Sequence, residues 1–231
     1  MQLKGKIVLP GEKVEIKDKK FTYEENNSIY SKVLALIEEK ENKKKIVPLN
    51  GRYVPKVGDK VVGIIKEIES SGWFVDINTY NLAFLPIGEA LQEFIDIFRT
   101  DISKYLNVGD IILAKIINIV KNKIIHLSLK EKGLRKLNQG IIIKVSPYKV
   151  PRIIGKKSSM LNLIKQKTNC EIIVGQNGYI WIRGENVGKV IEVIKTIERY
   201  SYISGLTERI QKMLWEKEKI MNWERLKWRF K

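Results

Sequence analysis

The sequence predicts a multidomain chain, mainly β with one α+β module, and three observations predict it. Short apolar runs separated by Gly-, Pro- and Asn-containing turns fill the first 131 residues, which is strand patterning. From residue 139 the pattern changes to strands alternating with amphipathic helical spacing. Hydrophobic residues make up 44% of the 231 residues, enough to build real cores in two or three small domains. The expected division is a small N-terminal β domain over 1–52, a barrel over 53–131, an α+β domain over 139–203 and a charged helical extension over 206–231.

In the first segment, Lys6-Ile7-Val8-Leu9 reads as a strand stopped by the turn signal Pro10-Gly11. Ile29 to Ile37 is a strand or a short helix; its Val33–Ile37 run is too short for periodicity to decide. Glu41 to Lys45 reads as a solvated hairpin tip before the return strand Ile46–Leu49.

The second segment carries five candidate strands: Lys60–Ile68, Trp73–Ile77, Ala83–Pro86, Ile111–Val120 and Lys123–Leu129. Turns separate them at Ser70-Ser71-Gly72, Asn78 to Asn81 and Lys121-Asn122. Helical spacing through Leu91, Ile95 and Phe98 predicts a helix within Glu89–Tyr105, before the fourth strand. Five short strands with a helix there match the OB-fold plan.

The third segment begins with a strand over Ile141–Val145 and a short helix near Val150–Ile154. A Gly-led loop, a helix through Met160, Leu161 and Ile164, and the strands Glu171–Val174 and Tyr179–Ile182 follow. Asn177-Gly178 is a strong hairpin signal between those strands. Val190, Ile191, Ile194 and Ile197 then mark an amphipathic helix over Val187–Tyr200, completing the order β-α-α-β-β-α. In the tail, Ile210, Leu214 and Met221 predict one buried helical stripe. Its Trp215, Trp223 and Trp228 fit a packing helix, an RNA contact or a partner-binding helix.

Charge narrows the function. The formal net charge is +17. Residues 132–205 hold 14 basic and 4 acidic residues, whereas 53–131 hold 9 and 10. A Lys-rich composition alone also marks heat-adapted proteins; the concentration of the excess in one third of the chain is what points to a polyanionic partner. Cys170 is the only cysteine, so an internal disulfide and a cysteine metal cluster are excluded. The chain shows no signal-type apolar segment and no apolar run of membrane-spanning length, which predicts a soluble, cytoplasmic protein.

The stretch Ile154-Gly155-Lys156-Lys157-Ser158 places a glycine-led loop before a helix, where free N–H groups and the helix dipole hold phosphate and the two lysines add charge. Val150 to Lys157 resembles the helix–GxxG–helix core of a KH domain, with Ser158 in place of the second glycine. That resemblance implies RNA contacts from Arg152, Gly155, Lys156 and Lys157, weaker than an intact GxxG loop would make. Gly175-Gln176-Asn177-Gly178 also spells GxxG, but its flanks are strands and it reads as a turn.

The barrel segment resembles an S-one RNA-binding domain through Val57-Gly58-Asp59, Gly63, Gly72 to Asp76, Phe84-Leu85-Pro86, Val108-Gly109-Asp110 and Leu127 to Lys130. Bases stack on exposed strand aromatics in such folds. The implied contacts are Trp73, Phe74 and Phe84, with Lys66, Lys115, Lys121 and Lys123 as a local basic patch. Adjacent strand residues point to opposite faces, so one of Trp73 and Phe74 packs and the other is exposed; the family position favours Phe74. Pro86 stands where the family often has a histidine, and one typical contact is missing.

The order of the three segments, over roughly residues 4–220, resembles the RNA-binding cap subunit of the archaeal exosome. Pro48 to Asp59 and Ile173 to Gly184 are the family-like stretches. In that family the Gly-x-Asn-Gly turn is structural and packs near the adjoining domain. The resemblance implies an N-terminal domain docked on a ring of RNase PH-like subunits. It implies three cap copies per complex, or a mixture with a second cap subunit, guiding RNA 3′ ends to phosphorolytic sites elsewhere. No cofactor or metal and no membrane contact is expected.

Catalysis is not expected. His126, the only histidine, lies in an alternating apolar strand and reads as structural. No carboxylate pair has motif context, and Gly155-Lys156-Lys157-Ser158 lacks Walker spacing. The competing readings are a free-standing RNA-binding regulator or chaperone and an RNA-degrading enzyme.

Overall fold

The computed structural model describes residues 6–18, 20–40, 43–91, 102–120, 124–201 and 205–214. Six short antiparallel strands open the chain: β1 Lys6–Val8, β2 Lys13–Val14, β3 Thr22–Glu25, β4 Ser28–Ser31, β5 Ala35–Lys40 and β6 Lys43–Pro48. They form two three-stranded sheets, ordered β1-β5-β6 and β2-β4-β3. Asn26 and Asn27 both take positive φ (48° and 57°) in the two-residue turn between β3 and β4, the conformation a tight hairpin matched to strand twist requires. The Ile29–Ile37 ambiguity resolves as two strands, β4 and β5, in different sheets. At the end of β4, Ser31 is buried and its hydroxyl donates to the Val33 carbonyl at 2.7 Å. Val8, Val14, Ala35 and Ile46 form the core of this region. Lys43 to Lys45 belong to β6, not to the hairpin tip; residues 41 and 42 lie outside the described residues.

The barrel strands are β7 Lys60–Glu69, β8 Gly72–Asp76, β9 Ala83–Pro86, β10 Ile111–Ile119 and β11 Ile125–Ser128. They run in the order β11-β9-β8-β7-β10, and pairing of β10 with β11 closes the ring. The parallel β9–β11 pair is the crossover of an OB-fold. Alternation drives closure: Val61, Ile65, Trp73, Val75, Leu85, Ile112, Ala114, Ile116 and Leu127 all fill the core. Of the helix expected within Glu89–Tyr105, only the flanks are described: a four-residue helix α1 (Ile87–Ala90) stops at Leu91, which is extended, and Ile102–Lys104 form a 3-10 turn. Residues 92–101 lie outside the described residues.

Strand β12 (Arg135–Leu137) adds to β10. The last module runs β13 Ile141–Lys144, α2 Val150–Ile154, α3 Ser159–Thr168, β14 Glu171–Val174, β15 Tyr179–Arg183 and α4 Val187–Arg199, the β-α-α-β-β-α order. Its sheet is antiparallel, β13-β15-β14. Residues 206–214 are helical, with Leu206, Ile210 and Leu214 buried at four-residue spacing; Trp215, Met221, Trp223 and Trp228 lie outside the described residues. The chain divides into two compact units. One holds Arg52–Val150 with Asn169–Val187, and the other the described parts of Met1–Gly51, Pro151–Thr168 and Gly188–Lys231.

Candidate nucleic-acid interface

The outer face of the barrel carries one continuous row of side chains, one from each strand. Glu67 of β7 pairs with Phe74 of β8, Phe74 with Phe84 of β9, Phe84 with His126 of β11, and His126 with Asn118 of β10. Their sequence neighbours Trp73, Val75, Leu85 and Leu127 point inward and are fully buried, so strand alternation forces the row outward. The Phe74 and Phe84 ring centroids are 5.3 Å apart, and Phe84 meets His126 edge-on at 6.0 Å. All three rings are half-buried, while Glu67 and Asn118 are exposed. Gly72 is needed beneath this row: an added Cβ would collide with the Leu85 carbonyl and press on the Phe84 ring.

Two expected contacts change in this geometry. Trp73 is 0% exposed and its indole N–H donates to the Leu106 carbonyl at 2.9 Å. It is core and cannot face a ligand; Phe74 is the outward member of the pair. Lys115 is ion-paired with Glu131 at 2.6 Å, and Lys60 holds the same carboxylate. The two lysines lower the Glu131 carboxyl to about 2, so Lys115 is neutralised locally. Lys66 is exposed beside Glu67, where a register shift interrupts the β7–β8 ladder. Lys121 and Lys123 lie outside the described residues. His126, read from the sequence as a structural residue, is half-buried in this row and packs edge-on against Phe84. Alternation with the buried Ile125 and Leu127 turns it outward, and its cross-strand partners Phe84 and Asn118 bring it into the row.

The second candidate region is the loop between α2 and α3. Gly155 has φ +75°, and a Cβ there would sit 2.8 Å from Met160 Cβ, so the entry to the loop demands glycine. Lys157 (φ 50°) and Ser158 (φ 62°) both take the left-handed conformation, closed by the Ser158 N–H donating to Gly155 O at 3.2 Å. Ser158 thus keeps the backbone that a second glycine would adopt freely, at a cost of about 1–2 kcal/mol for an L residue. Arg152, Lys156 and Lys157 are exposed.

The Gly175–Gly178 turn is inserted into the barrel. Asn177 is 0% exposed. Its amide donates to Val62 O at 2.7 Å and Ile77 O at 2.9 Å, and its Oδ1 accepts from the Val62 N–H at 3.3 Å. Its own carbonyl accepts from Asn78 Nδ2 at 2.7 Å. The backbone of Gln176 donates to Lys60 O at 2.9 Å. A Cβ on Gly175 would strike Asn177 Oδ1 and crowd the Val62 N–H, and Gly178 holds φ +85°. Tyr179 donates to Asp76 Oδ2 at 3.1 Å; burial first, then the Asp76 charge, pushes its phenol up to about 12. Val62, Leu137, Tyr179 and Trp181 form an apolar cluster around the turn. Among the described residues, no group of three or more His, Cys, Asp or Glu is placed to hold a metal ion, and no helix is long and apolar enough to cross a membrane.

Comparison with known proteins follows this architecture. Residues 52–118 match the S1 domain of RRP4, and residues 140–188 match a KH domain. The exosome complex component Rrp4 of Pyrococcus furiosus is 43% identical over 221 residues, 91% of this chain and 83% of its own length. The namesake proteins of Picrophilus torridus (41% identical, 90% of this chain, 91% of theirs) and Methanobrevibacter smithii (38%, 90%, 70%) are similar in the same way. A crystal structure provisionally assigned as an exosome complex RNA-binding protein superposes with a TM-score of 0.68 at 37% identity, covering 74% of this chain and 99% of its own.

Proposed function

The chain belongs to the family of the exosome complex component Rrp4, and from that membership we propose that it is a non-catalytic RNA-binding cap subunit of an exosome. The observation that carries the proposal is the Phe74–Phe84–His126 row on the closed barrel. Half-exposed rings offer a sequence-tolerant stacking surface for unpaired bases, and Lys66 supplies charge for the backbone that follows them. The α2–α3 loop, with Gly155, Lys156 and Lys157, is a second and weaker grip. The N-terminal sheets dock on a ring of RNase PH-like subunits; exposed Ile7 (44%) and Leu9 (60%) support an interface there. Three copies around one entry pore would compensate for weak individual sites by raising the effective concentration of RNA. RNA 3′ ends are then guided to phosphorolytic sites in the ring.

Co-expression with RNase PH-like subunits tests this. The expected result is a complex that survives moderate salt, while the pure chain leaves RNA intact in phosphate and divalent metal. A chain that stays monomeric and binds RNA tightly without a ring partner would instead be a free-standing regulator.

A further inference from the structure

We propose that Asn50 is a self-modifying site: the backbone nitrogen of Gly51 attacks the Asn50 side-chain amide and converts the residue to aspartate and isoaspartate, while the fold spares the identical pair Asn177-Gly178. The inference is independent of the RNA-binding reading. Asn-Gly occurs twice in the chain, at 50–51 and at 177–178. Glycine has no Cβ to shield its backbone nitrogen, so in this dipeptide a main-chain amide reaches the preceding carboxamide with the least hindrance. The chemistry open to both pairs is the same; their surroundings are opposite.

Asn50 and Gly51 follow β6 and are both exposed. The Gly51 N–H donates to Asn50 Oδ1 at 2.9 Å, so the carboxamide is folded back onto the nitrogen that must attack its Cγ. At the second pair each participant is tied elsewhere. Asn177 is 0% exposed. Its Nδ2 donates to the Val62 and Ile77 carbonyls and its Oδ1 accepts from the Val62 N–H. The Gly178 N–H donates to Gly175 O at 3.2 Å. Attack there requires the turn to open first, and local opening is slowed by every hydrogen bond it must break.

The conversion needs no co-reactant but water. A bond forms between Gly51 N and Asn50 Cγ, the Cγ–Nδ2 bond breaks, and the Gly51 proton leaves with the side-chain nitrogen as ammonia. Water then opens the cyclic imide on either side. Opening at Cγ leaves aspartate; opening at the Asn50 main-chain carbonyl leaves isoaspartate, whose backbone runs through Cβ and Cγ. Either product adds a negative charge. Isoaspartate also inserts a methylene into the main chain between two pinned residues. Leu49 donates its N–H to Leu34 O at 2.9 Å, and buried Tyr53 donates its hydroxyl to Asp59 Oδ2 at 2.6 Å. The change falls on the connection between β6 and β7, which joins the N-terminal sheets to the barrel in the chain.

The test incubates the full chain at neutral pH, folded and in urea. Peptide mass spectrometry locates the converted residues, and enzymatic methyl transfer from S-adenosylmethionine detects isoaspartate. In the folded chain Asn50 is expected to convert, with Asn177 about a hundredfold slower because its three hydrogen bonds must open. In urea the two are expected to convert at similar rates. Asn50→Gln, at an exposed position, is expected to abolish the isoaspartate of the folded chain, since glutamine must close a larger ring. An Asn50 that stays intact in the folded chain while converting in urea would overturn the proposal. Equal conversion of Asn50 and Asn177 in the folded chain would overturn it too, because the fold would then not select the site. So would methyl transfer to the folded chain that Asn50→Gln leaves unchanged.

Discussion

Trp73 and Phe74 are adjacent in the chain and occupy opposite environments, one sealed in the barrel and the other on its surface. The sequence states that the two must differ, because strand neighbours alternate. Which one faces inward is decided by the partners across the strand: Trp73 opposes Leu85 and Phe74 opposes Phe84. Tyr179 is another residue whose setting is tertiary. Burial and the Asp76 carboxylate keep its phenol neutral up to about pH 12, against an ordinary value of about 10. A raised folded value means that the neutral phenol contributes its stability in full below pH ~10 and loses it as pH rises toward 12. Thermal melts across that window are therefore expected to fall more steeply for the natural chain than for Tyr179→Phe; parallel curves would show that the phenol's ionisation is not linked to folding.

At the scale of elements, the five barrel strands and the β-α-α-β-β-α order of the last module were legible from periodicity and turn signals, whereas the short strands β2, β3 and β12 were not, being two to four residues long. The exceptions have physical reasons. The Val33–Ile37 run is too short for period to decide, and Ile29–Ile37 splits between two sheets. The Asn177-Gly178 signal correctly marked a hairpin, and the family resemblance implied a packing turn. Its depth came only from the fold, which gives the Asn177 side chain three hydrogen bonds to buried β7 and β8-flanking backbone. Asn177→Ala would leave the Val62 N–H and the Val62 and Ile77 carbonyls unpaired. The expected cost is about 2–4 kcal/mol, read as a lower denaturant midpoint in chemical unfolding. Asn177→Asp is not expected to rescue it, since a carboxylate keeps the acceptor and loses both donors. A midpoint unchanged in the Ala variant would show that the turn does not hold the barrel and the β13-β15-β14 sheet together.

For the whole molecule, charge and chain order matter more than any single motif. The +17 net charge is concentrated in residues 132–205, while the segment with the aromatic row is close to neutral. On the proposed function, stacking and electrostatics fall to different parts of the chain. If the α2–α3 loop grips phosphate, Lys156→Glu with Lys157→Glu is expected to make the dependence of log affinity on log salt shallower by about 1.4, at roughly 0.7 per phosphate contact on a single strand. An unchanged slope would assign the loop to scaffolding. What the sequence determined alone was the class of each module, their order and the polyanionic partner. These are written in local period, turn chemistry and composition, which need no knowledge of distant contacts. Only the tertiary structure decided that Trp73 is core, that Lys115 is neutralised by Glu131, and that His126 joins Phe74 and Phe84 in one surface row. Those facts depend on register between strands far apart in the chain, and register is set by closure of the barrel rather than by any stretch within it.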